Sequence, residues 1–512
     1  MSRAQKIISL ITLVVIGLAG SYLRFSELSE RPMHADEATG ARLTSFRLNS
    51  DQPYQFNPEH FHGPLLTLTA AISCKLAGEN EWSEMSKFPL RASCAIFGSA
   101  LLFLPLLLYS RFGFSVAILS ASLLATSPLL VYFSRMFTHE IQLTFFGLLC
   151  VILLIQLTPQ RKLSYYMLIG LTLGFMFAAK ETFAISVIAW FASWVLLKLP
   201  EIRSCKFGQL EQKIRPYRAP LASCVGAFLV VWLVIYSNGF SQPAGLWDSL
   251  KTYFVYQIED GHDKAFGYYF DMLVIPEKRA IWWHELPIFL LALVGFARSF
   301  TAISHARVIR FLGYSAFIHL LIYSLIDYKT PWLMCLPWAH FCLLAGFSIS
   351  GFSQWSRTLK LSSITIIAVA LSIQLRTSQQ ASKRFHSDER NPYAYTASNR
   401  NMESLEVWLG TLNNELPAGS LSPMQVIGEN YWPLPWYLRH QPMVTYTQQP
   451  TSLPDSSVPV LFVMPVHFEL YSEMLSHSHV PFVRSLRNQQ PMMMYLRRDL
   501  WDKWMENWPM NH

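Results

Sequence analysis

The sequence predicts an all-α polytopic membrane protein with about eleven transmembrane helices and a small C-terminal α/β domain. Three observations support this fold class. Of the 512 residues, 52% are hydrophobic and only 14% are charged, whereas about 25% of residues are charged in soluble proteins. The charged residues lie between apolar stretches of nearly the length that crosses a bilayer. After residue 376 the apolar runs become short and the segments between them polar, as in a soluble domain.

The predicted spans are the stretches that lack Asp, Glu, Lys and Arg. They are residues 7–23, 92–109, 112–133, 141–157, 163–179, 182–197, 219–236, 286–297, 311–326, 330–352 and 361–375. The first span follows Arg3 and Lys6 and resembles a signal peptide, but so many later spans favour a retained helix. Residues 64–78 are apolar but short and include Lys75, so we expect a helix that lies at the membrane surface.

The distribution of cations predicts the orientation of the chain. If the N-terminus is cytoplasmic, the long loop 198–218 is also cytoplasmic and rich in Lys and Arg, as the positive-inside rule requires. The short outer loops then carry one cation each, namely Arg135, Lys180 and Lys329. We therefore expect a multi-pass protein of the cell (plasma or inner) membrane whose chemistry takes place on the extracytoplasmic side.

This orientation also predicts the domain organisation. Residues 1–376 form the transmembrane domain, with a large first outer loop (24–91) and a second outer loop (237–285). Residues 377–512 form the soluble extracytoplasmic domain, in which we expect a strand at 460–464 and an amphipathic helix at 402–412.

Charge, cysteine usage and the lack of repeats exclude several other classes. The net charge is +8, but the basic residues follow membrane topology rather than one face of a domain, so no nucleic-acid partner is expected. The seven cysteines show neither a disulfide framework nor a zinc spacing. The absence of an internal sequence repeat weakens an inverted-repeat transporter interpretation.

Two adjacent carboxylates follow the first span. Asp36 and Glu37 come just after Pro32, where a helix is expected to begin. One explanation is that they only complement the helix dipole, which is worth about 0.3–1 kcal/mol. The other is catalytic: adjacent helix positions point about 100° apart, so one carboxylate faces a substrate and the other orients it or binds a cation.

Histidines in the same outer loop suggest a second kind of site. His60 and His62 are two residues apart and precede Gly63 and Pro64. Together with His34 they form a possible site for a divalent metal ion. The spacing matches no strong zinc pattern, and a solvated loop before the surface helix is the simpler interpretation.

Three short outer loops carry further ionisable groups. They contribute Arg135, His139 and Glu140, then Lys180 and Glu181, then Lys329. Taken alone, each group could equally belong to a functional site or have a simpler role, as part of a surface ion pair or as a lysine that reaches to the interface. Their coincidence with Asp36 and Glu37 at one membrane face favours a site, because cations bind a lipid phosphate while a carboxylate accepts the proton of an acceptor hydroxyl.

These motifs, in this order, resemble the multi-spanning glycosyltransferases of the GT-C superfamily. The resemblance is closest to the archaeal and bacterial family labelled flippase activity-associated, a relative of the polyprenyl-phosphate-mannose protein mannosyltransferases. It rests on His34-Ala35-Asp36-Glu37, Phe61-His62-Gly63-Pro64, Tyr132-Phe133-Ser134-Arg135 leading to His139-Glu140, Ala179-Lys180-Glu181-Thr182, Tyr328-Lys329-Thr330-Pro331-Trp332, Asn391-Pro392-Tyr393 and Tyr431-Trp432-Pro433. Glu140 stands where the family pattern has Asp, which keeps the charge and lengthens the side chain.

The resemblance implies an inverting transfer of a sugar from a polyprenyl-phosphate donor to an acceptor hydroxyl on a protein, lipid or polysaccharide. Asp36 is then the general base and Glu37 orients it or the acceptor. His62, His139, Glu140 and Glu181 are expected to bind acceptor, sugar or a cation, while Lys329, Arg135 and Lys180 neutralise the donor phosphate. The alternatives are a flippase that moves the lipid-linked sugar without transfer, and a scaffold whose soluble tail recruits partners.

Overall fold

The computed structural model of the protein describes residues 3–48, 53–158, 160–203, 215–256, 261–301, 305–449 and 455–507. Up to residue 379 the chain is almost entirely helical. The helices are α1 (Arg3–Phe25), α2 (Ala35–Leu48), α3 (Leu65–Leu76), α4 (Lys87–Phe112), α5 (Phe114–Thr126), α6 (Pro128–Ser134), α7 (Glu140–Ile155), α8 (Leu163–Ala179), α9 (Phe183–Arg203), α10 (Arg218–Tyr236), α11 (Ala244–Val255), α12 (Tyr268–Leu273), α13 (Leu286–Arg298), α14 (Ala306–Leu325), α15 (Cys335–Gly346) and α16 (Arg357–Gln379). A hairpin of β1 (Glu277–Arg279) and β2 (Ile281–Trp283) precedes α13.

Each predicted span falls on a helix, but the helices differ in length. Among the described residues, 6 helices are long and apolar enough to cross a membrane, or 7 if the bent pair α5 and α6 is one span. Four further spans of the prediction coincide with shorter apolar helices, at Leu10–Phe25, Glu140–Ile155, Leu163–Ala179 and Leu286–Arg298. The total of eleven crossings therefore stays a prediction.

The span predicted at 112–133 is not one straight helix. Gly113 separates it from α4, and α5 and α6 meet at an angle of 61°. The cause is Pro128, which lacks an amide hydrogen and begins a new helix at its first position. Ser127 caps that helix through its hydroxyl, which accepts from the Leu130 amide at 3.4 Å.

The short apolar segment after Pro64 forms α3, as predicted, with 12 residues. At 1.5 Å per residue this helix is about 18 Å long, too short for a bilayer core of about 30 Å. Beyond its C-terminal end, Ser86 contacts Glu79, and Lys87 forms an ion pair with Glu403 of the C-terminal domain at 2.7 Å. The residues before and after α3 therefore lie on the same side of the bundle, the side that carries the C-terminal domain.

The C-terminal domain is a five-stranded sheet flanked by helices. The order is β4 (Val444–Thr447), β3 (Met424–Ile427), β5 (Val460–Val463), β7 (Gln490–Arg497) and β6 (His479–Arg487). β3 pairs in parallel with β4 and β5, and the pairs of β7 are antiparallel. The helices are α17 (Asn401–Glu415), α18 (Leu434–Tyr437), α19 (Phe468–Leu475) and α20 (Arg498–Asn507). The strand and the amphipathic helix expected in this region are β5, which is buried on both faces, and α17.

The two ends of the bundle differ in their contacts, while their orientation in the membrane stays a prediction. At one end, Arg111 donates to the Ile155 carbonyl and Arg298 donates to the Ser348 and Ser350 carbonyls. At the other end, the C-terminal domain rests on the first outer loop, where the Met33 amide donates to the Tyr437 hydroxyl at 2.8 Å. The basic loop between α9 and α10 lies outside the described residues from 204 to 214.

Candidate active site

Asp36 and Glu37 begin α2, and the helix directs their side chains into different environments. The Glu37 side chain is fully buried, whereas the Asp36 side chain is 53% exposed. The two positions differ because α2 packs its Glu37 side against α4 and the loop before α7. Asp36 is therefore the carboxylate of the pair that is accessible to a substrate.

Glu37 is the centre of a buried charge cluster with Arg31 and Arg91. Arg91 contacts both carboxylate oxygens, with Nε to Oε1 at 2.9 Å and Nη2 to Oε2 at 2.8 Å, and Arg31 Nη2 lies 2.9 Å from Oε1. The amides of Phe137 and His34 also donate to the carboxylate. Burial alone raises the pKa of Glu37, but the two guanidinium groups outweigh it and hold the pKa well below its usual range.

His34 holds the first turn of α2 against the C-terminal domain. Its Nδ1 accepts the Asp36 amide at 3.1 Å. Its Nε2 lies 3.2 Å from the Tyr395 carbonyl and 3.1 Å from the Thr396 hydroxyl. The Asp36 carboxylate is 3.8 Å from Nδ1 and makes no hydrogen bond to it. The imidazole thus positions the backbone at Asp36 and leaves the carboxylate accessible.

Five of the predicted residues come together with Tyr256 in a second cluster. We call it the rim network; it consists of His62, His139, Glu140, Lys180, Glu181 and Tyr256. The Lys180 ammonium is 2.7 Å from Glu140 Oε1, and both side chains are buried. His62 Nδ1 is 3.1 Å from Glu181 Oε2, and His62 Nε2 is 3.3 Å from the Tyr256 hydroxyl. The rings of His62 and His139 meet edge to face at 5.0 Å.

The rim network keeps its charges inside a mostly buried site. Burial lowers the pKa of Lys180, but Glu140 and Glu181 outweigh it and raise the pKa above its usual range. Burial likewise raises the pKa of Glu181, but His62 and Lys180 outweigh it and lower the pKa to about 2. Burial, His62 and Lys180 together hold the pKa of His139 well below its usual range, so this ring is neutral at pH 7.

Asp36 and the rim network belong to one site. The loop from Ser134 to Glu140 connects them, because its Phe137 amide donates to Glu37 and the Glu140 carboxylate at its end pairs with Lys180. Burial and the charges of Glu181 and Asp36 raise the pKa of the Tyr256 phenol. The site therefore contains an accessible carboxylate, a buried lysine and two histidines.

Arg135 lies away from this surface. Its guanidinium donates to the backbone carbonyls of Leu23, Arg24, Ser26 and Glu27, which follow or end α1. Four carbonyl acceptors occupy both terminal nitrogens, so the observed role of Arg135 is to close the C-terminal end of that helix. Phosphate binding by Arg135 would require these contacts to break.

Lys329 is buried in the turn before Pro331. Its ammonium donates to the carbonyls of Lys264 and Ile326, and its amide donates to the His262 carbonyl. An ammonium group has three hydrogens, so one remains for a further acceptor. Lys264, which lies beside it with Nζ 5.8 Å from the centre of the Tyr395 ring, is a cation that the sequence analysis did not single out.

The structure also shows other residues that the sequence did not identify. Tyr256 follows an apolar helix without any motif, and Tyr395 lies in the tail, so only their tertiary contacts mark them. Glu285 is fully buried and accepts from the Ser127 hydroxyl, the Leu129 amide, the Trp338 indole and the Tyr393 hydroxyl. It was predicted only as the last residue of an outer loop.

The histidines considered as metal ligands are not gathered. His34 contacts the C-terminal domain and His62 contacts Glu181. Among the residues that the structure describes, no group of three or more His, Cys, Asp and Glu side chains could hold a metal ion. The divalent metal ion therefore stays a prediction.

The family model for dolichyl-phosphate-mannose-protein mannosyltransferases matches residues 61–208, which contain most of the rim network but neither Asp36 nor Lys329. No curated protein sequence matches the chain.

Solved structures match over almost the whole length. The crystal structure of ArnT from Cupriavidus metallidurans in the apo state has a TM-score of 0.66 and 12% identity, and the alignment covers 98% of this chain and 99% of that one. The structure of the same enzyme bound to undecaprenyl phosphate has a TM-score of 0.62 and 12% identity, and the alignment covers the same shares of the two chains. A third structure is the archaeal oligosaccharyltransferase AglB from Archaeoglobus fulgidus in complex with an inhibitory peptide and a dolichol-phosphate. Its TM-score is 0.52 and its identity is 14%, and the alignment covers 99% of this chain and 78% of that one.

At these low identities the alignments show a likeness in fold, which extends over nearly the whole of this chain. The chain has the GT-C fold, as its motifs predicted.

Proposed function

We propose that this protein is a membrane glycosyltransferase that moves a sugar from a polyprenyl-phosphate donor to an acceptor hydroxyl on the extracytoplasmic face. The observation that carries the proposal is the contrast between Asp36 and Glu37. Glu37 is fully buried and neutralised by arginines, whereas the neighbouring Asp36 is half exposed and makes no ion pair with an arginine or lysine among the described contacts. A carboxylate in that position is suited to accept the proton of an acceptor hydroxyl.

The proposed reaction is a single displacement with inversion. Asp36 takes the proton of the acceptor hydroxyl as its oxygen attacks the anomeric carbon. The bond from that carbon to the phosphate oxygen breaks, and the polyprenyl phosphate leaves with the bonding electrons. Lys329, with Lys264 beside it, supplies positive charge for the leaving phosphate. Lys180 and the histidines of the rim network bind the sugar.

The likeness in fold supports this activity. ArnT has been solved with undecaprenyl phosphate and AglB with a dolichol-phosphate. For this chain we propose a donor of the same chemical class. The alternative is a lipid-linked sugar flippase, which would move such a lipid without consuming it.

The experiment begins by purifying the protein and identifying its copurified lipid by mass spectrometry. The polyprenyl-phosphate sugar found there serves as donor in a transfer assay with membranes of the source cell. We expect Asp36→Asn to lower transfer roughly 10²–10⁴-fold, the usual contribution of a general base, with little effect on donor binding. Asp502→Asn, on the exposed side of α20, is the matched control.

Two outcomes would contradict the proposal. Near-normal transfer by Asp36→Asn would remove Asp36 as the base. Donor lipid that crosses the bilayer of a reconstituted vesicle, without loss of its sugar to any acceptor, would favour the flippase.

A further inference from the structure

The accessible side of α2 extends from Asp36 toward the C-terminal end of the helix. Asp36, Thr39, Leu43 and Phe46 follow a helical repeat, and each is at least partly exposed, whereas the opposite side is buried. Ten residues separate Asp36 from Phe46, which corresponds to about 15 Å along the helix. A substrate chain that reacts at Asp36 can therefore extend along this side of the helix.

An arginine and two aromatic rings lie near the far end of that path. The Arg42 guanidinium is 4.9 Å from the centre of the Phe46 ring and 5.3 Å from the centre of the Trp82 ring. Burial lowers the pKa of the Arg42 guanidinium, and Tyr446 of the C-terminal domain offsets part of this effect. Arg42 is only half-buried.

The C-terminal domain contributes a second group of rings. Tyr431 lies 5.0 Å from Tyr446 and 6.3 Å from Trp432, measured between ring centres. Tyr446 is 39% exposed, and Tyr431 and Trp432 are half-buried. Trp436 is instead fully buried and packs against Trp82 at 5.8 Å, so it supplies the structural contact between the two groups.

We infer that the acceptor is a carbohydrate chain and that its part remote from the reacting hydroxyl binds to these residues. We call the site the aromatic cleft; it is formed by Arg42, Phe46, Trp82, Tyr431, Trp432 and Tyr446. The inference rests on the proposed transferase activity, because it assigns the acceptor of that reaction. It also gives the position of this site, which begins about 15 Å from Asp36 along α2.

The chemistry of the cleft fits a sugar chain. The C–H faces of sugar rings stack on aromatic rings, and a guanidinium donates hydrogen bonds to hydroxyl groups. Phe46, Trp82, Tyr431 and Trp432 pack on the core with one side and keep the rest of their surface in solvent, whereas Trp436 is fully buried. The rival acceptor is an extended peptide, which would pair with the edge strand β4 that carries Tyr446. The cleft is favoured for sugar because side chains from separate segments line it, rather than one strand edge.

The test measures binding, so it does not depend on turnover. Full-length protein in detergent is applied to an array of bacterial oligosaccharides and to an array of 15-residue peptides. We expect binding to at least one class of oligosaccharide. Tyr446→Ala should weaken it roughly fivefold to tenfold, the worth of one stacked ring, while Tyr446→Phe, which keeps the ring, should bind nearly as the wild type does.

The control is Val483→Ala, because Val483 is 72% exposed on β6, at the opposite edge of the sheet. Arg42→Gln provides a second variant from the other side of the cleft. Oligosaccharide binding that is equal in the wild type, Tyr446→Ala and Arg42→Gln would overturn the inference. Binding of peptides alone, or of neither array, would overturn it as well.

The outcome is separable from that of the proposed function. Asp36→Asn should bind the same oligosaccharides as the wild type, because Asp36 lies at the other end of α2. If oligosaccharide binding depends on Tyr446 but no transfer is found, the cleft stands and the transferase proposal fails. If transfer depends on Asp36 but the cleft variants keep normal oligosaccharide binding and normal acceptor KM, only the cleft fails.

Discussion

At the scale of single residues, neighbouring acids in this chain have opposite tasks. Glu37 binds two arginines and two backbone amides and thereby fixes α2 on α4, whereas Asp36 keeps its carboxylate accessible. The sequence predicted that the two would point apart and that Glu37 orients Asp36 or the acceptor, and that role stays a prediction. The contacts of Glu37 hold α2 in place, because donors already occupy the acceptor positions of its carboxylate.

This distinction predicts different consequences for the two acids. Glu37→Gln leaves Arg31 and Arg91 buried without a countercharge, which typically costs about 3–5 kcal/mol. We expect a clear fall in melting temperature for Glu37→Gln and little change for Asp36→Asn, measured by thermal unfolding in detergent. Equal melting temperatures for the two variants would show that Glu37 does not hold the cluster together.

Glu285 predicts a dependence of stability on pH. Burial raises its pKa from 4.5 to about 7, although four hydrogen-bond donors partly offset the effect. Because the folded state holds the proton more tightly than the unfolded state, stability is highest below this interval and falls as the pH rises through it. We therefore expect the melting temperature to decrease between about pH 5 and pH 7, the interval between the unfolded-state and folded-state pKa values of Glu285, and then to level off.

The matched variant is Glu285→Gln, which has no titrating group at this position. Its melting temperature should change less across the same interval than that of the wild type. A wild-type curve that rises with pH, or one that Glu285→Gln does not flatten, would contradict the assignment.

At the scale of elements, α11 links the membrane to the site. Trp247, Leu250 and Phe254 are spaced on one side of this helix and are 71%, 43% and 89% exposed. The other side packs on the end of α10, where the Trp232 indole donates to the Ser249 hydroxyl. At its C-terminal end, Tyr253 donates to the Glu181 carbonyl and Tyr256 contacts His62. An apolar side continuous with a membrane helix predicts that α11 lies at the membrane surface.

A spin label measures this position directly. A nitroxide at Phe254→Cys, in reconstituted protein without native cysteines, should be more accessible to oxygen than to a water-soluble nickel complex. Val407, 70% exposed on α17 of the C-terminal domain, provides the control for a side chain in water. The same accessibility ratio at both positions would place α11 in water and leave its apolar side unexplained.

At the scale of the whole molecule, the C-terminal domain completes the site. Tyr395 and Thr396 contact His34, and Ser398 and Tyr437 bond to Met33. The first outer loop, the rim network and this domain therefore lie on one face of the bundle. The orientation of that face follows from the distribution of cations and stays a prediction.

Labelling of single cysteines tests the orientation. In a background without native cysteines, Ser456→Cys in the C-terminal domain should react with a membrane-impermeant thiol reagent in intact cells. Thr358→Cys, at the start of α16 on the opposite face, should react only after the cells are opened; both positions are exposed. Equal labelling in intact cells would remove the common extracytoplasmic face on which the site depends.

The sequence by itself determined the helical membrane fold and the face on which the polar loops gather. It could do so because apolar stretches of bilayer length, and cations that stay on one side, follow from transfer free energies that depend on local composition. It also marked α3 as too short to span and found β5 and α17 in the tail. Only the bend at Pro128 and the several short apolar helices departed from a simple series of straight spans.

The tertiary structure decided which charged residues remain available for chemistry. Asp36 and Glu37, or Lys180 and Arg135, look equivalent in the sequence, but their partners come from helices that are distant along the chain. Glu37 meets Arg91 across 54 residues and Arg135 meets Leu23 across 112. Such pairing depends on how the helices pack, and packing sets burial and hydrogen bonding, which no local pattern encodes. The same reason explains why Tyr256, Glu285 and the aromatic cleft became visible only in the folded chain.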